Sequence, residues 1–596
     1  MKSSWNASQY CSALLAACIP IVPAFGHALL LPIAGALLFV VWIVDRGSIR
    51  IVAAPLVLLV ALWSVVLGVS EYPNIVDAFR VSKSPLVILG ARSVESVRLA
   101  ALLLLFGVWM FHWAHRPQSR AAALQSFLVS GTLSLLFSSV QAVLRVLHIE
   151  APLFSDLPNQ TVVWQELDRP VGLFSDPNAF GVFAALFFTL VVAKTVSSNH
   201  LVSRVLYISL SVLSLCGGAL SGSRTFLVFF VLFLVLQLVQ LFRTNDGSRL
   251  GFPFIVFLSG VLLVTGGLYF TFQDEGIPLK TFERVGESLH ALYYGDSSLI
   301  ADRLYFSYLC LLVFFQYPLT GVGPLLFRDE MTSFAYFYEI PLGLWTDNPN
   351  NSYLGLLAEL GLLGVVALCL SVFLIRFYRQ PKEEESFQRT IRSGLVAYLA
   401  ILFFGPHYLF PEITLTVALL IALVCSMDIR SHSYRILSLF LILCFPFVPL
   451  MVAQKEMGLF HWEENPNSTN EEQMKFARWS SKNFRVWTRC ESRNAELHLR
   501  NGQPRDIEVS LQTMENPFSP SERTETVRLG SGGEQSVSFP CPKNAPHQGI
   551  LVRGQVSKSW QPLEYGDSRV LGVQILAANP ADSFVARQID NEFRKR

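Results

Sequence analysis

Ala179-Phe-Gly-Val-Phe-Ala-Ala-Leu-Phe-Phe-Thr-Leu-Val-Val-Ala-Lys-Thr-Val196 contains a single charge, Lys194. A helix of about 20 mostly apolar residues crosses the hydrocarbon layer of a bilayer, and this stretch fits that length. The same window finds about thirteen such segments, near 9–25, 27–44, 51–70, 98–114, 122–147, 179–196, 203–220, 224–242, 252–272, 352–376, 392–409, 412–428 and 435–453. The first lacks the strongly basic start and small-residue cleavage site of a secretory signal and reads as retained. Composition agrees. Only 15% of the 596 residues are charged and 52% are hydrophobic, against roughly 25% charged in soluble chains. The shortage is local: 37 of the 90 charged residues fall between Lys455 and Arg596. The chain divides into a polytopic membrane domain, 1–454, and a globular tail, 455–596. A net charge of +2 offers none of the basic excess of a nucleic-acid binder.

Basic residues in short loops stay cytoplasmic. Arg46 and Arg50, Arg116 and Arg120, Lys194 and Arg204, Arg243 and Arg249, Arg376 to Arg392, and Arg430 with Arg435 all fall on one side when the spans alternate. The other side receives the long loop 273–351, with 4 basic and 10 acidic residues, and the tail. The N-terminus is therefore expected to be cytoplasmic and the C-terminus external. External segment 71–97 breaks the charge rule with Arg80, Lys83 and Arg92. These cations either snorkel to headgroups or attract an anionic lipid-linked substrate.

The tail changes period. Ala495-Glu-Leu-His-Leu-Arg500, Ile507-Glu-Val-Ser-Leu511, Thr526-Val-Arg-Leu529, Gln535-Ser-Val-Ser-Phe539, Ile550–Val556 and Val570–Leu576 form the series. They alternate or run apolar, between turns such as Asn501-Gly502 and Gly530-Ser-Gly-Gly533. Short strands at this spacing indicate a β-sandwich. Cys490 and Cys541 are the tail's two cysteines, and an external location would allow them to pair. Trp560, Pro562 and Asp567-Ser-Arg569 beside Leu571-Gly572 are similar to the closing strands of jelly-roll modules that accompany glycan-processing proteins. Trp560 is either a core residue or a sugar platform.

No phosphate-cradling glycine loop, nucleotide fingerprint, serine hydrolase elbow or zinc motif occurs, and neither a metal nor a cofactor is expected. The unusual residues are polar ones at external ends of spans, where burial is costly. They form four clusters: Arg169-Pro-Val-Gly-Leu-Phe-Ser-Asp-Pro-Asn178; Ser221-Gly-Ser-Arg224; Arg284 and Arg303, followed by Pro318-Leu-Thr-Gly-Val-Gly-Pro324; and Asp347-Asn-Pro-Asn-Asn351-Ser-Tyr-Leu leading to Glu359-Leu-Gly361. Each alone reads as a turn or a snorkelling arginine. All four share the external side by the charge rule, and converging guanidinium groups suit a phosphate or pyrophosphate.

In this order the motifs resemble the O-antigen ligase and O-antigen polymerase superfamily, over roughly residues 160–430. The resemblance implies a GT-C-like helical bundle in the bacterial inner membrane, with the long loop and the tail in the periplasm. It implies inverting, metal-independent transfer of a glycan from a polyprenyl-pyrophosphate carrier to the hydroxyl of a glycan or lipid A-core acceptor. By position, Arg169 and Asn178 match the first motif, Ser223 and Arg224 the second, Arg303 and Arg284 the loop arginines, and Glu359 a glutamate of the last. That last motif commonly holds a His-Asn pair, with the histidine assisting acceptor activation. This sequence has Asn350-Asn351 instead.

An amide is no general base near neutral pH. His407 in Gly405-Pro-His-Tyr-Leu-Phe-Pro411, Asp347 and His290 are the candidate substitutes; Asn350 and Asn351 otherwise keep a positional role. Arg224, Arg303, Asn350, Asn351, His407 and Asp347 are thus the candidate catalytic residues. Arg169, Asn178, Ser223, Arg284, Arg80 and Glu359 are the candidate substrate-binding ones. The reading leans to polymerisation of a surface or exopolysaccharide over ligation. The competing class, a transporter or flippase for lipid-linked glycan, would use the same spans and cationic loops.

Overall fold

The computed structural model describes residues 7–21, 117–146, 171–174, 176–244, 298–323, 349–376, 385–407 and 410–424 of the membrane domain. In the tail it describes 457–464, 476–491, 494–516, 519–541, 549–560 and 571–577, and it adds the isolated positions 149, 290, 293 and 327. The helices are α1 Ala7–Cys18, α2 Pro117–Val146, α3 Pro177–Ser197, α4 Leu201–Leu220, α5 Arg224–Thr244, α6 Ser298–Gln316, α7 Ser352–Arg376, α8 Glu385–Ile401 and α9 Pro411–Val424. Four of the described helices, lying in α2, α3, α4 and α7, are long and apolar enough to cross a membrane. The segments expected at 27–44, 51–70, 98–114, 252–272 and 435–453 lie outside the described residues.

A helix that is apolar on every side belongs in the middle of a bundle, and α3 is there. Residues Ala179 to Ala193 are all buried, with α2, α4, α5, α8 and α9 packed around them. Phe127 of α2 lies 6.0 Å from Phe183 between ring centroids, and Phe188 lies 5.5 Å from Phe230 of α5. Such contacts, more than exclusion from water, hold helices together in lipid.

Two expected boundaries move. The stretch 273–351, read as loop, contains the 19-residue helix α6, which packs on α7 through Phe306, Leu309, Cys310 and Val313 around Ala358. The span placed near 392–409 is α8, which starts earlier at Glu385 and ends at Ile401. A short 3₁₀ turn, Leu402–Phe404, follows it. Gly405-Pro406 stops the helix there, because the residue before proline avoids the α region, so His407 lies in the connection to α9.

Helix α7 is broken at Gly361, with φ 60° and ψ −154°. The break frees the carbonyls of Ala358 and Glu359 and the amides of Leu362 and Leu363. The turn after α6 takes up all four. Val322 N donates to Ala358 O at 3.0 Å and Gly323 N to Glu359 O at 2.9 Å. Leu362 N donates to Pro318 O at 2.9 Å and Leu363 N to Leu319 O at 3.2 Å. Intrahelical bonds are exchanged for helix-to-loop bonds, with no backbone group given up to the apolar surroundings.

Among its described residues the tail has eight strands: β1 Met457–Glu464, β2 Phe476–Glu491, β3 Asn494–Arg500, β4 Ile507–Asn516, β5 Ser519–Leu529, β6 Glu534–Pro540, β7 Gly549–Val556 and β8 Gln574–Ala577. Their order is β5-β4-β7-β2-β8-β3-β6, with β1 also on β2. Strand β2 joins two groups. Its residues Phe476 to Trp479 pair with β8, and Asn483 to Arg489 pair with β7. Side chains from both groups, among them Phe484, Leu497, Val509, Val537, Val552 and Ile575, fill one core, as in a sandwich. The expected alternation is seen in β3, where Ala495, Leu497 and Leu499 point inward. Cys541 is disulfide-bonded; Cys490 sits opposite Ala495, next to the Asn494–Pro540 pair that precedes Cys541. Trp560 packs against Trp479 at 6.1 Å, and 561–570 lie outside the described residues.

The Gly361 conformation is nearly restricted to glycine and costs other residues about 1–3 kcal/mol. A Cβ there would also stand 2.5 Å from the Leu319 carbonyl carbon. Gly361→Ala should lower the thermal unfolding temperature of the detergent-solubilised protein by several degrees; an unchanged value would contradict the exchange.

Candidate active site

The site is assembled at the ends of α3, α5, α6 and α7. The chain enters α3 through a turn held by α2, where Gly172 N donates to Gln141 Oε1 at 2.7 Å. Asp176 caps α3, accepting from Asn178 N at 2.6 Å, with Pro177 in the first turn. Asn178 follows, half-buried. Proline here loses nothing, since its amide would have had no intrahelical partner.

One turn into α3, Gly181 meets the Ser221-Gly222-Ser223 break between α4 and α5. A Cβ on Gly181 would lie 2.6 Å from that of Ser223, so the absence of a side chain lets the first and second motifs touch. Ser221 Oγ donates to Gly218 O at 2.7 Å and accepts from Ser223 N at 3.2 Å. Ser223 is fully buried, and its hydroxyl has no hydrogen-bond partner among the described residues. Arg224, half-buried, opens α5 immediately beyond it.

The opposite wall begins at Asn350-Asn351. The Asn351 side chain caps α7, accepting from Tyr353 N at 3.0 Å and Leu354 N at 3.2 Å. This gives Asn351 a positional task. Asn350 precedes it, half-buried. Ser352 Oγ donates to Gly405 O at 2.5 Å, and Tyr353 Oη to Leu399 O at 2.6 Å. Both bonds tie the start of α7 to the end of α8 and its following connection.

That connection carries His407. It is 2% exposed, and neither ring nitrogen has a hydrogen-bond partner among the described residues. The ring lies over Gly405, where a Cβ would be 2.7 Å from Nε2. Burial foremost, and then the charge of Arg303, pushes its pKa down from 6.5 to about 4. The imidazole is neutral at pH 7, with a lone pair available. Arg303, on α6, also stands within electrostatic reach of Arg224 and is repelled by it. Three candidates from separate parts of the sequence thus share one electrostatic neighbourhood.

Glu359 is placed differently. It is buried on α7 within electrostatic reach of Cys310, and its backbone carbonyl takes part in the exchange described above. His290 is exposed. Arg80, Arg169, Arg284 and Asp347 lie outside the described residues. Gly181, Ser352 and Gly405, which bring the walls together, lie within the motifs singled out in the sequence but had no role assigned there. Gly405-Pro406 was the one visible signal, as a helix stop.

Residues 209–369 match the family described as O-antigen ligase. The matched stretch takes in Ser223, Arg224, Arg303, Asn350, Asn351 and Glu359, and ends before His407. No curated protein matches the chain.

The lowered pKa of His407 has a consequence for stability. Between about pH 6.5 and 4 the unfolded chain binds a proton that the folded chain refuses, so acid favours unfolding over that window. The difference amounts to about 3 kcal/mol when complete. His407→Gln should therefore lose less stability than the wild type between pH 7.5 and 4.5 in thermal unfolding. Equal losses would contradict the buried neutral state.

Proposed function

The chain is similar, through residues 209–369, to the O-antigen ligase family, and from that premise we propose a direct glycan transfer at this site. It is a membrane protein of polysaccharide assembly, and its substrates are a lipid-linked glycan and an acceptor. The donor in this reading is a glycan on polyprenyl pyrophosphate. The acceptor is a sugar hydroxyl, on another glycan or on a lipid A-core.

One observation carries the reading: Arg303 is largely desolvated and lies within electrostatic reach of Arg224. Two guanidinium groups in one neighbourhood suit an anion, and a pyrophosphate reaching both would be held by paired hydrogen bonds. The buried Ser223 hydroxyl supplies a further donor on the same side. Arg169, Arg284 and Arg80 would add positive charge, and Asn178 a polar contact to the carrier-linked sugar. Glu359 would act by holding α7 against the turn after α6.

Pyrophosphate is already a good leaving group. Charge grows on its bridging oxygen as the bond to the anomeric carbon lengthens, and fixed cations in a dry site stabilise that charge. Attack by the acceptor from the opposite face inverts the anomeric configuration. The chemistry asks for positioning and charge stabilisation, and no step requires a metal. The disulfide at Cys541 fits an oxidising compartment and supports a periplasmic tail; the bacterial inner membrane and the cytoplasmic N-terminus belong to the same proposal. The fused β domain and the missing histidine favour a polymerase; transport would leave the paired arginines without a leaving group to stabilise.

Arg224→Ala and Arg303→Ala should each reduce glycan transfer by roughly 10²-fold or more at wild-type membrane abundance. Lysine should restore only part, because it lacks the planar fork. Full transfer in both alanine variants would contradict the proposal. In a deletion strain, loss of polymer with single repeats remaining indicates a polymerase, and polymer stranded on its carrier indicates a ligase.

A further inference from the structure

We infer that His407 takes the proton from the acceptor hydroxyl, standing in space where the family's histidine is missing from the sequence. The inference rests on the transfer reading above and assigns one group within it. The acceptor oxygen bonds to the anomeric carbon as the carbon–oxygen bond to pyrophosphate breaks. The electron pair leaves on the pyrophosphate, the hydroxyl proton passes to a ring nitrogen of His407, and the imidazolium later releases it to water.

Geometry supplies the argument. The position matched to the family histidine is Asn350, and the next residue is committed to capping α7. One residue further, Ser352 Oγ holds the carbonyl of Gly405, two positions before His407. The same hydrogen bond that anchors the start of α7 therefore brings a different histidine to the vacated neighbourhood. Gly405 allows the ring to settle against the backbone.

The ring is also unsatisfied. A neutral imidazole has one donor and one acceptor, and leaving a buried one unpaired is costly. Buried polar groups normally find partners. Both nitrogens of His407 lack one among the described residues at 2% exposure, so the lone pair is unspent within them.

The surrounding charges are suited to the task. Arg303 comes from α6, and Arg224, on α5, acts on Arg303 in turn. Asn350 and Ser352 on the α7 side are uncharged, and Glu412 lies in the first turn of α9. Burial foremost, and then the cation, keeps the free ring neutral. An anionic donor binding beside Arg303 offsets part of that field, so the ring gains basicity as the donor arrives. A weak base is sufficient, because the acceptor oxygen becomes strongly acidic as its bond to carbon forms.

The test compares purified wild type, His407→Gln and His407→Ala with a carrier-pyrophosphate oligosaccharide, measuring transfer and donor binding from pH 4 to 8. Both variants should bind the donor normally and transfer it roughly 10²-fold more slowly. The wild-type rate should fall on acidification with a single ionisation that is absent from His407→Gln, and added imidazole should accelerate His407→Ala. Transfer within about threefold of wild type by His407→Gln, with Arg224→Ala inactive, would overturn the assignment and leave the transfer reading standing. Active Arg224→Ala would instead defeat the reading beneath it. The wild-type profile is decisive even where a variant does not accumulate: a rate flat from pH 4 to 8 excludes His407 as the base.

Discussion

A helix in an apolar environment cannot leave backbone amides and carbonyls unpaired, and α7 breaks at Gly361. Everything at the site depends on how that break is repaired. The amides of Val322 and Gly323 take the carbonyls that α7 releases, and the carbonyls of Pro318 and Leu319 take its amides. Side chains make no part of this exchange, so its geometry is set by the backbone alone. It locks the turn after α6 onto α7 and thereby fixes α6 beside the helix whose first turn holds Asn350 to Ser352. Arg303, near the start of α6, is brought to the same neighbourhood as His407 and Arg224.

The second constraint is electrostatic. In the proposed reading, two arginines and a neutral histidine form a site suited to negative charge and averse to more positive charge. Such an arrangement weakens the empty protein slightly and strengthens the complex with an anion, which is how a site directs binding energy toward the reacting centre. The capping asparagine and the Ser352–Gly405 bond hold one wall, and the Gly181–Ser223 contact holds the other. Arg224 and Asn351 therefore stand at helix ends, and His407 in a connection tied to one of them.

Much of this was legible in the sequence, for identifiable reasons. Arg224 drew attention because charge is scarce at the ends of apolar segments and costly there, and Arg303 as one of the few cations of the acidic long loop. The β domain showed itself through period-two patterns such as Ala495 to Leu499. Other features were hidden. Helix α6 sits in a stretch whose acidic flanks read as loop, and Leu360-Gly-Leu-Leu-Gly364 reads as uninterrupted helix although it contains the break. Strand β2 conceals its own pattern: Trp479 faces inward at an odd position and Phe484 and Val486 at even ones, since the strand changes neighbours between them. The Ser352–Gly405 bond spans 53 residues, and no local pattern encodes a contact between two loops so far apart.

The central claim is that a bound anion between Arg224 and Arg303 is the leaving group of a glycan transfer. The most direct measurement incubates purified protein with a polyprenyl-pyrophosphate oligosaccharide and an acceptor glycan in the presence of a metal chelator, and follows both products. The account predicts a new glycosidic bond of inverted configuration, with one polyprenyl pyrophosphate released per bond. Retained configuration, or dependence on a divalent metal, would contradict it.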